Sequence, residues 1–422
     1  METSDFDFQN LYTIFENSLT NNLDINHYNE IIIAYSGGVD SSTLLYFANK
    51  LSKKLKFKIR AVHINHNLNI RSKEWEDHCV KICKKNKIPL EIGNLKIMVK
   101  PGESIEEQAR KSRYEFIYSL MNEESIMLTA HHLDDQAETY IYNLLRGSGL
   151  KGLSSMPVIK TLDKGVHVRP FLNFTKNTLS DFVRFKDIEY IEDNSNENIN
   201  FSRNFIRKEV FPKIKKNWTS YATTISRAAS NASDSIKLNN DLAKIDIEKY
   251  LLDSRKKISV NVKKLDKYRF NNVIRYWIEY NGYRMPSSMQ LNSIHKNVFR
   301  AGEDKSPFFS CAEYEIRRNN NYVEIMNPLK KHDSSKTYKW KFDKNLVIPD
   351  LSINLTWKSL EKKLGYKLNK DVEVKFRRKG QNIKLSLDRT LKDYMRENKI
   401  PVWKRDRALL IYVDKELKII WD

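Results

Sequence analysis

The stretch Glu30-Ile31-Ile32-Ile33-Ala34-Tyr35-Ser36-Gly37-Gly38-Val39-Asp40-Ser41-Ser42 sets the fold class. Glu30 to Tyr35 is a short apolar run, β-branched at its centre, and reads as a buried strand. Ser41 to Lys53 carries Leu44, Leu45, Phe47 and Ala48 at helical spacing. A Ser/Gly turn between strand and helix brings backbone N–H groups and a helix N-terminus to bear on an anion. Ser36, Ser41 and Ser42 offer hydroxyl donors as well. Asp40 would repel phosphate on its own, so it makes sense if it holds Mg2+ or orders the loop. The chain contains no Gly-Lys dipeptide, which excludes a Walker-type loop. No Gly-x-Gly-x-x-Gly follows the strand, which argues against a dinucleotide fold.

Outward from this loop the first half alternates strands and helices. Phe57 to His63 and Ile126 to Ala130 read as strands; 73–87, 104–121 and Asp135 to Arg146 read as helices. That rhythm implies a parallel sheet covered on both faces, an α/β catalytic domain over 1–217. Ser202 to Trp218 reads as one basic helix. From Thr219 to Val298 the pattern is helical, with Gly282 the only glycine, so 218–330 reads as a helical domain. Short aromatic and β-branched runs return near Thr337, and 331–422 reads as a small mixed α/β C-terminal domain.

The 422 residues hold 74 Lys and Arg against 53 Asp and Glu, a net charge of +21 that suits a polyanionic partner such as nucleic acid. Three cysteines, Cys79, Cys83 and Cys311, are too few for a disulfide scaffold or a four-thiolate zinc site, and point to a reducing compartment. The acidic start lacks a signal-peptide core, and no run approaches the roughly 18 apolar residues of a membrane span. A cytoplasmic protein without a membrane partner is expected.

Three further segments carry chemistry. Val62-His63-Ile64-Asn65-His66 ends the second strand, where an open α/β sheet receives ligand. On the next helix but one, Glu106, Arg110 and Arg113 share a face, and its two guanidiniums suit phosphate. Thr129-Ala130-His131-His132-Leu133-Asp134-Asp135-Gln136-Ala137-Glu138-Thr139 crosses another strand-to-helix junction. Two histidines beside Asp135 and Glu138 suit metal binding, proton transfer or recognition of an ammonium group. Leu144-Leu145-Arg146-Gly147-Ser148-Gly149 follows.

The segment Ser36–Ser42 resembles the S-G-G-x-D-S loop of ATP-dependent adenylating enzymes that release pyrophosphate. With the other motifs the chain is similar to the tRNA(Ile)-lysidine synthases of that PP-loop superfamily. The likeness continues through Arg169-Pro170-Phe171-Leu172, Ile191-Glu192-Asp193-Asn194-Ser195-Asn196, Arg203-Asn204-Phe205-Ile206-Arg207, Arg377-Arg378-Lys379-Gly380 and Pro401-Val402-Trp403-Lys404-Arg405. It covers most of the chain and is weakest over 219–330. Local departures occur at Asn67 and Asn69, at Asn194 and at Gln381.

The resemblance implies an adenine-nucleotide-hydrolase-like parallel sheet and a defined reaction. ATP adenylates the C2 oxygen of the wobble cytidine of a CAU-anticodon tRNA(Ile). Free L-lysine then displaces AMP, and decoding changes from AUG to AUA. It implies ATP binding by Ser36, Gly37, Gly38, Val39, Asp40, Ser41, Ser42, His63 and Arg110. Asp40 and Asp135 would hold Mg2+. Asp135 and Glu138 would bind lysine. Arg113, His131 and His132 would join Asp40, Asp135 and Glu138 in catalysis. Free lysine, with an ε-amine pKa of about 10.4, arrives protonated, and His131, His132 or a carboxylate would take that proton. Arg146, Arg203, Arg207, Lys208, Arg377, Arg378, Lys404 and Arg405 would contact tRNA. No obligate protein partner is evident, and a homodimer stays open.

Three rival readings remain, of which a synthetase acting on small molecules is disfavoured by the basic tail and the absence of a glutaminase-like domain. A tRNA 2-thiolase would use paired C-x-x-C cysteines, whereas Cys79 and Cys83 are spaced C-x-x-x-C on a helix and read as packing groups. A non-catalytic RNA-binding protein would have no need of Asp40, Asp135 and Glu138 together.

Overall fold

The computed structural model describes residues 5–66, 71–95, 105–192, 202–302, 306–351, 353–378, 383–385 and 389–421. Asn67, Asn69, the motif residues Asp193 to Asn196, and Lys379 to Gln381 lie outside them. The chain forms two compact units, Met1–Lys237 and Leu238–Asp422.

In the first unit a helix, α1 (Asp5–Thr20), precedes β1 (Glu30–Ala34), α2 (Val39–Leu55), β2 (Lys58–Asn65), α3 (Ser72–Lys85), β3 (Leu90–Asn94), α4 (Ile105–Ser119), β4 (Ser125–Leu128) and α5 (Leu133–Leu145). After α6 (Leu150–Leu153) come β5 (Ile159–Thr161), β6 (Val166–Val168), α7 (Lys176–Phe185), α8 (Ser202–Phe205), α9 (Phe211–Asn217) and α10 (Tyr221–Glu248), within which the two units divide. The sheet order is β3-β2-β1-β4-β6-β5. All pairs are parallel except the edge hairpin β5–β6. Strand order reverses between β1 and β4, and that switch point is where an open α/β sheet leaves a crevice at its carboxyl ends.

The isoleucines of β1 explain its central place. Ile31 and Ile33 pack on one face with Phe15, Phe47, Phe171 and Phe182. Ile32 points to the other face, with Val62, Met127 and the α4 residues Ile117 and Met121. A strand buried on both sides reads as an unbroken apolar run, not as alternation. Cys79 and Cys83 are fully buried in the first of these cores, as packing groups. Strand β3 escapes the sequence pattern because Pro89 and Gly93 interrupt it. A Cβ at Gly93 would lie 2.6 Å from Ile64 Cδ1 and 2.9 Å from Phe116 Cε1, so a larger residue would have to displace those side chains. The single basic helix expected over 202–218 is two helices joined by a π-helical segment, Ile206–Val210.

The second unit begins in α10 and adds β7 (Lys257–Ser259), α11 (Lys267–Tyr280), α12 (Ser288–Ile294), β8 (Phe308–Ser310), β9 (Glu315–Asn319) and β10 (Tyr322–Met326). The helices expected in this region are present. They pack Trp277, Phe270 and Phe299 against Ile316, Val323 and Ile325 of an antiparallel sheet ordered β7-β10-β9-β8. These strands are three to five residues long and rich in charge, too short to imprint a period of two. The tail forms β11 (Tyr338–Trp340), β12 (Leu346–Ile348), β13 (Ile353–Leu355), α13 (Trp357–Leu364), β14 (Val372–Phe376), α14 (Leu391–Glu397), α15 (Val402–Arg405), β15 (Leu409–Val413) and β16 (Glu416–Trp421). Its main sheet, β11-β14-β15-β16, is antiparallel and closes over Trp340, Trp357 and Leu360.

Candidate active site at the carboxyl ends of the parallel strands

The Ser/Gly loop leaves β1 through Tyr35 and enters α2 at Val39. Gly37 has φ +82°, a left-handed conformation that an L side chain adopts only at a cost. A Cβ there would lie 3.1 Å from both Cys79 Sγ and Ile191 Cδ1. The turn is braced from within. Ser36 Oγ and Ser41 Oγ lie 3.0 Å apart, Ser41 Oγ donates to the Gly38 carbonyl at 3.1 Å, and Ile191 N donates to the Gly37 carbonyl at 2.9 Å. The first-turn amides of α2, which no preceding carbonyl satisfies, are left for an anion.

His63 sits beneath this loop, buried, with Nδ1 donating to the Tyr35 carbonyl at 3.0 Å. Its ring supports the turn. Burial lowers its pKa, with Arg113 adding to the fall. His66 has both ring nitrogens buried without a hydrogen-bond partner among the described residues, and burial and Arg113 lower its pKa to about 4. From α4, Arg113 thus reaches the β2 end of the crevice. Arg110 rests on Tyr114 at 5.8 Å and exerts its charge on His131 and His167 at the β4 and β6 ends.

The second centre forms where β4 meets α5. Asp135 Oδ2 accepts from the His132 backbone N–H at 3.1 Å, closing the first turn of the helix. His132 Nε2 stands 3.4 Å from Asp135 Oδ2 and 3.7 Å from Asp40 Oδ2, so one imidazole links the two motifs. Burial would raise the Asp135 carboxyl, but His132, His131, the His132 amide and Arg207 together hold it below the usual range. Burial dominates at Asp40 and Glu138, and both carboxyls are raised. Asp40 Oδ1 is buried with no hydrogen-bond partner among the described residues.

Among the described residues no group of three or more His, Cys, Asp or Glu gathers as a self-sufficient metal site. Mg2+, however, is commonly held by one or two carboxylates with substrate phosphates completing its shell. The unpartnered oxygen of Asp40, beside the phosphate-type loop and within reach of Asp135's field, fits that mode.

Arg203 and Arg207, assigned from sequence to RNA contact, turn toward these carboxylates. Arg207 Nη2 lies 2.6 Å from Glu138 Oε2 and 3.2 Å from Asp135 Oδ1, and Arg203 Nη1 lies 3.7 Å from Glu138 Oε1. Arg207 belongs to the π-helical segment, an irregularity common at functional sites. Arg146 instead caps α5 and donates to the Tyr142 hydroxyl at 2.8 Å, while Lys208 is exposed.

In the second unit the two tail motifs converge. Burial first, and then the charges of Arg377 and Arg396, depress the Arg405 pKa. Arg378 donates to the Ser335 carbonyl at 3.2 Å, and Lys404 is exposed. Trp403 is buried as a core aromatic, with Arg317 at 6.0 Å from its ring.

Thr129, His167 and Arg169 escaped the sequence reading as site residues. His167 and Arg169 stand two residues apart along β6 and its extension, so both lie on the same face of the sheet. Thr129 Oγ1 lies 2.8 Å from His167 Nε2 and 2.8 Å from His131 Nδ1. The alternation His167-Val168-Arg169 was the available signal.

Comparison with known proteins agrees with this geometry. Residues 11–214 match the model of a PP-loop domain, 261–323 a TilS substrate binding domain, and 372–422 a TilS substrate C-terminal domain. The chain is 37% identical to a tRNA(Ile)-lysidine synthase of Coxiella burnetii over 91% of this chain and 87% of that one. It is 35% identical to one from Buchnera aphidicola subsp. Schizaphis graminum, over 92% and 88%. It is 31% identical to one from Legionella pneumophila strain Paris, over 94% and 91%. A solved U34-tRNA thiolase from Methanococcus maripaludis covers 53% of this chain and 78% of its own at a TM-score of 0.44 and 17% identity, a likeness too slight to carry an argument. With identity sustained over nine-tenths of its length, the chain belongs to the tRNA(Ile)-lysidine synthase family.

Proposed function

We propose that this chain is an ATP-dependent ligase that joins the ε-amine of free L-lysine to C2 of the wobble cytidine in CAU-anticodon tRNA(Ile), releasing AMP and pyrophosphate. One observation carries the lysine reading. A carboxylate pair, the half-buried Asp135 and the buried Glu138, holds a long-chain cation, Arg207, directly beside a phosphate-type loop. A site that accommodates a guanidinium on a flexible stem suits the ammonium of lysine.

The chemistry follows from the poor leaving ability of a carbonyl oxygen. The C2 oxygen of cytosine attacks the α-phosphorus of ATP and pyrophosphate departs. Lysine nitrogen then bonds to C2, and AMP leaves with the original oxygen. Ser36, Gly37, Gly38, Val39, Ser41 and Ser42 cradle the departing phosphates with backbone and hydroxyl donors. Arg110 and Arg113 face the crevice from α4 and offset charge on the phosphoryl oxygens. Asp40 and Asp135 would hold Mg2+, which supplies electrostatic stabilisation of phosphate charge. Asp135 and Glu138 orient the ε-amine, with Arg207 giving way or sharing as it enters. Glu138, with its raised pKa, and His132 are placed to take the amine's proton.

Arg146, Arg203 and Lys208 in the first unit and Arg377, Arg378, Lys404 and Arg405 in the second supply positive charge for tRNA phosphates. A catalytic part over 1–217 and tRNA-handling parts over 218–330 and 331–422 complete the assignment. Cytoplasmic placement agrees with three free thiols. No helix among the described residues is long and apolar enough to cross a membrane.

The test is incubation of the purified chain with ATP, Mg2+, radiolabelled lysine and an unmodified CAU-anticodon tRNA(Ile) transcript. Label retained on RNA, dependent on ATP and the wobble cytidine and stable to mild base, is the expected result. Pyrophosphate release without label would redirect the search to another nucleophile. Neither product would overturn the reading.

A further inference from the structure

Behind the His131-His132 pair runs a chain of hydrogen bonds that the scheme above does not use. His131 Nδ1 lies 2.8 Å from Thr129 Oγ1, and that oxygen lies 2.8 Å from His167 Nε2. His167 Nδ1 lies 3.2 Å from Arg169 Nη2, with the Tyr118 hydroxyl farther off at 3.4 Å. The other amino group of Arg169 donates to the Pro157 carbonyl at 2.8 Å, which fixes the guanidinium. Thr129, His167 and Arg169 are all buried, so water does not compete for these contacts.

The protons in this chain can be counted. Arginine only donates, so His167 Nδ1 must accept and is bare. The His167 ring is neutral, because burial and then Arg169 drive its pKa down to about 2. A neutral ring bare at Nδ1 carries its proton on Nε2, which donates to Thr129 Oγ1. The threonine hydroxyl has one proton, and it goes to the remaining neighbour, His131 Nδ1. His131 is neutral as well: burial outweighs the opposing Asp135 charge and lowers its pKa to about 3. Its single proton is therefore on Nε2, the nitrogen away from Thr129. As a residue His131 is partly exposed, unlike Thr129, His167 and Arg169.

We infer that Arg169, acting through His167 and the Thr129 hydroxyl, locks His131 as its Nε2–H tautomer, so that His131 serves the active site as a hydrogen-bond donor and not as a base. Thr129, His167 and Arg169 are positioning residues in this assignment. The target of the donated bond rests on the proposed function: an oxygen that gains negative charge as the phosphoryl group transfers or as AMP leaves. The assignment removes His131 from the groups able to accept the lysine proton and leaves that task to His132 or Glu138.

The tautomer is read directly on the full chain labelled with nitrogen-15 histidine, from two- and three-bond proton–nitrogen correlations. Loss of individual signals in His131→Gln and His167→Gln assigns the two rings. Both are expected to show the Nε2–H pattern at neutral pH. Thr129→Val breaks the chain at its centre, and the His131 pattern should then average between tautomers. Thr129→Ser retains the hydroxyl and should preserve it. In parallel, pyrophosphate release with tRNA present should fall about a hundredfold in Thr129→Val, the usual loss for one donor to developing charge, and recover in Thr129→Ser. An Nδ1–H pattern at His131 in the unsubstituted chain would overturn the inference, as would an unchanged pattern in Thr129→Val. If the spectra agree but no pyrophosphate is ever released, the tautomer stands and the functional reading fails.

Discussion

Replacing Arg207 by alanine tests whether the carboxylate pair is tuned by the chain's own guanidinium. At the 2.6 Å separation from Glu138 Oε2, and with an effective dielectric of about 20, the Coulomb attraction is roughly 6 kcal/mol. Desolvation of Glu138, whose side chain is 3% exposed, cancels much of this, and Arg207 is 41% exposed and partly screened. A coupling of about 2 kcal/mol is left. Denaturant midpoints of the full chain carrying Arg207→Ala, Glu138→Gln and both together measure it as a double-mutant cycle.

The functional consequence follows from charge. Burial already holds the Glu138 carboxyl above the usual range, and Arg207 is its strongest opposing influence. Without Arg207 the carboxyl rises further, and a larger share of it is protonated at a given pH. A neutral acid does not pair with an ammonium ion. The lysine KM of Arg207→Ala is therefore expected to fall as pH is raised over the range the enzyme tolerates, by up to about tenfold per unit wherever Glu138 is mostly protonated, while the unsubstituted enzyme changes much less. The measurement is lysine incorporation into tRNA at saturating ATP across that range. A coupling within about 0.5 kcal/mol of zero, together with a flat KM profile, would refute the reasoning.

Four other expectations can be checked with the same preparations. Gly37→Ala forces an L residue to φ +82° against Cys79 and Ile191, so it should cost about 1–2 kcal/mol of stability and raise the KM for ATP; a normal melting curve and KM would count against the tight loop. Asp40→Ala should abolish pyrophosphate release while tRNA is still retained on a filter, and normal release would remove its metal role. His167 has a folded pKa far below its unfolded value, so its stabilising contribution is complete above about pH 6.5 and is lost as pH falls toward its folded pKa. Between about pH 7 and 5 that loss is about 2 kcal/mol, and His167→Gln should flatten the chain's pH–stability curve by that amount in denaturant titrations. Arg377→Ala and Arg378→Ala should each reduce the salt slope of tRNA binding by about one, and slopes unchanged from the parent would place both residues off the RNA.

The parts of the site that lie close in sequence were legible before folding. Ser36 to Ser42 and Thr129 to Glu138 each span a strand-to-helix junction. In a parallel sheet every such junction comes to the same edge, so two βα motifs are brought together whatever the details of packing. The middle of the chain was harder. The three- to five-residue strands of the antiparallel sheet β7-β10-β9-β8 leave only one or two alternations each, which the longer helical periodicity around them obscures. The basic stretch around Arg207 shows charge but not which anion each cation meets, and the structure pairs Arg207 with Glu138 and Asp135.

By itself the sequence determined the Ser/Gly strand–loop–helix, the parallel sheet around it, the convergence of two carboxylate-bearing motifs, and a positive charge suited to RNA. These depend on near neighbours, where periodicity and turn chemistry act within a few residues. Only the tertiary structure decided that Arg207 bonds to Glu138, 69 positions earlier in the chain, that His167 meets His131 through Thr129, and that the charge of Arg377 acts on Arg405. Such pairs are made when packing brings distant segments together and excludes water. The proton positions and carboxylate pKa values on which the chemistry turns are set by that burial, which no local pattern records.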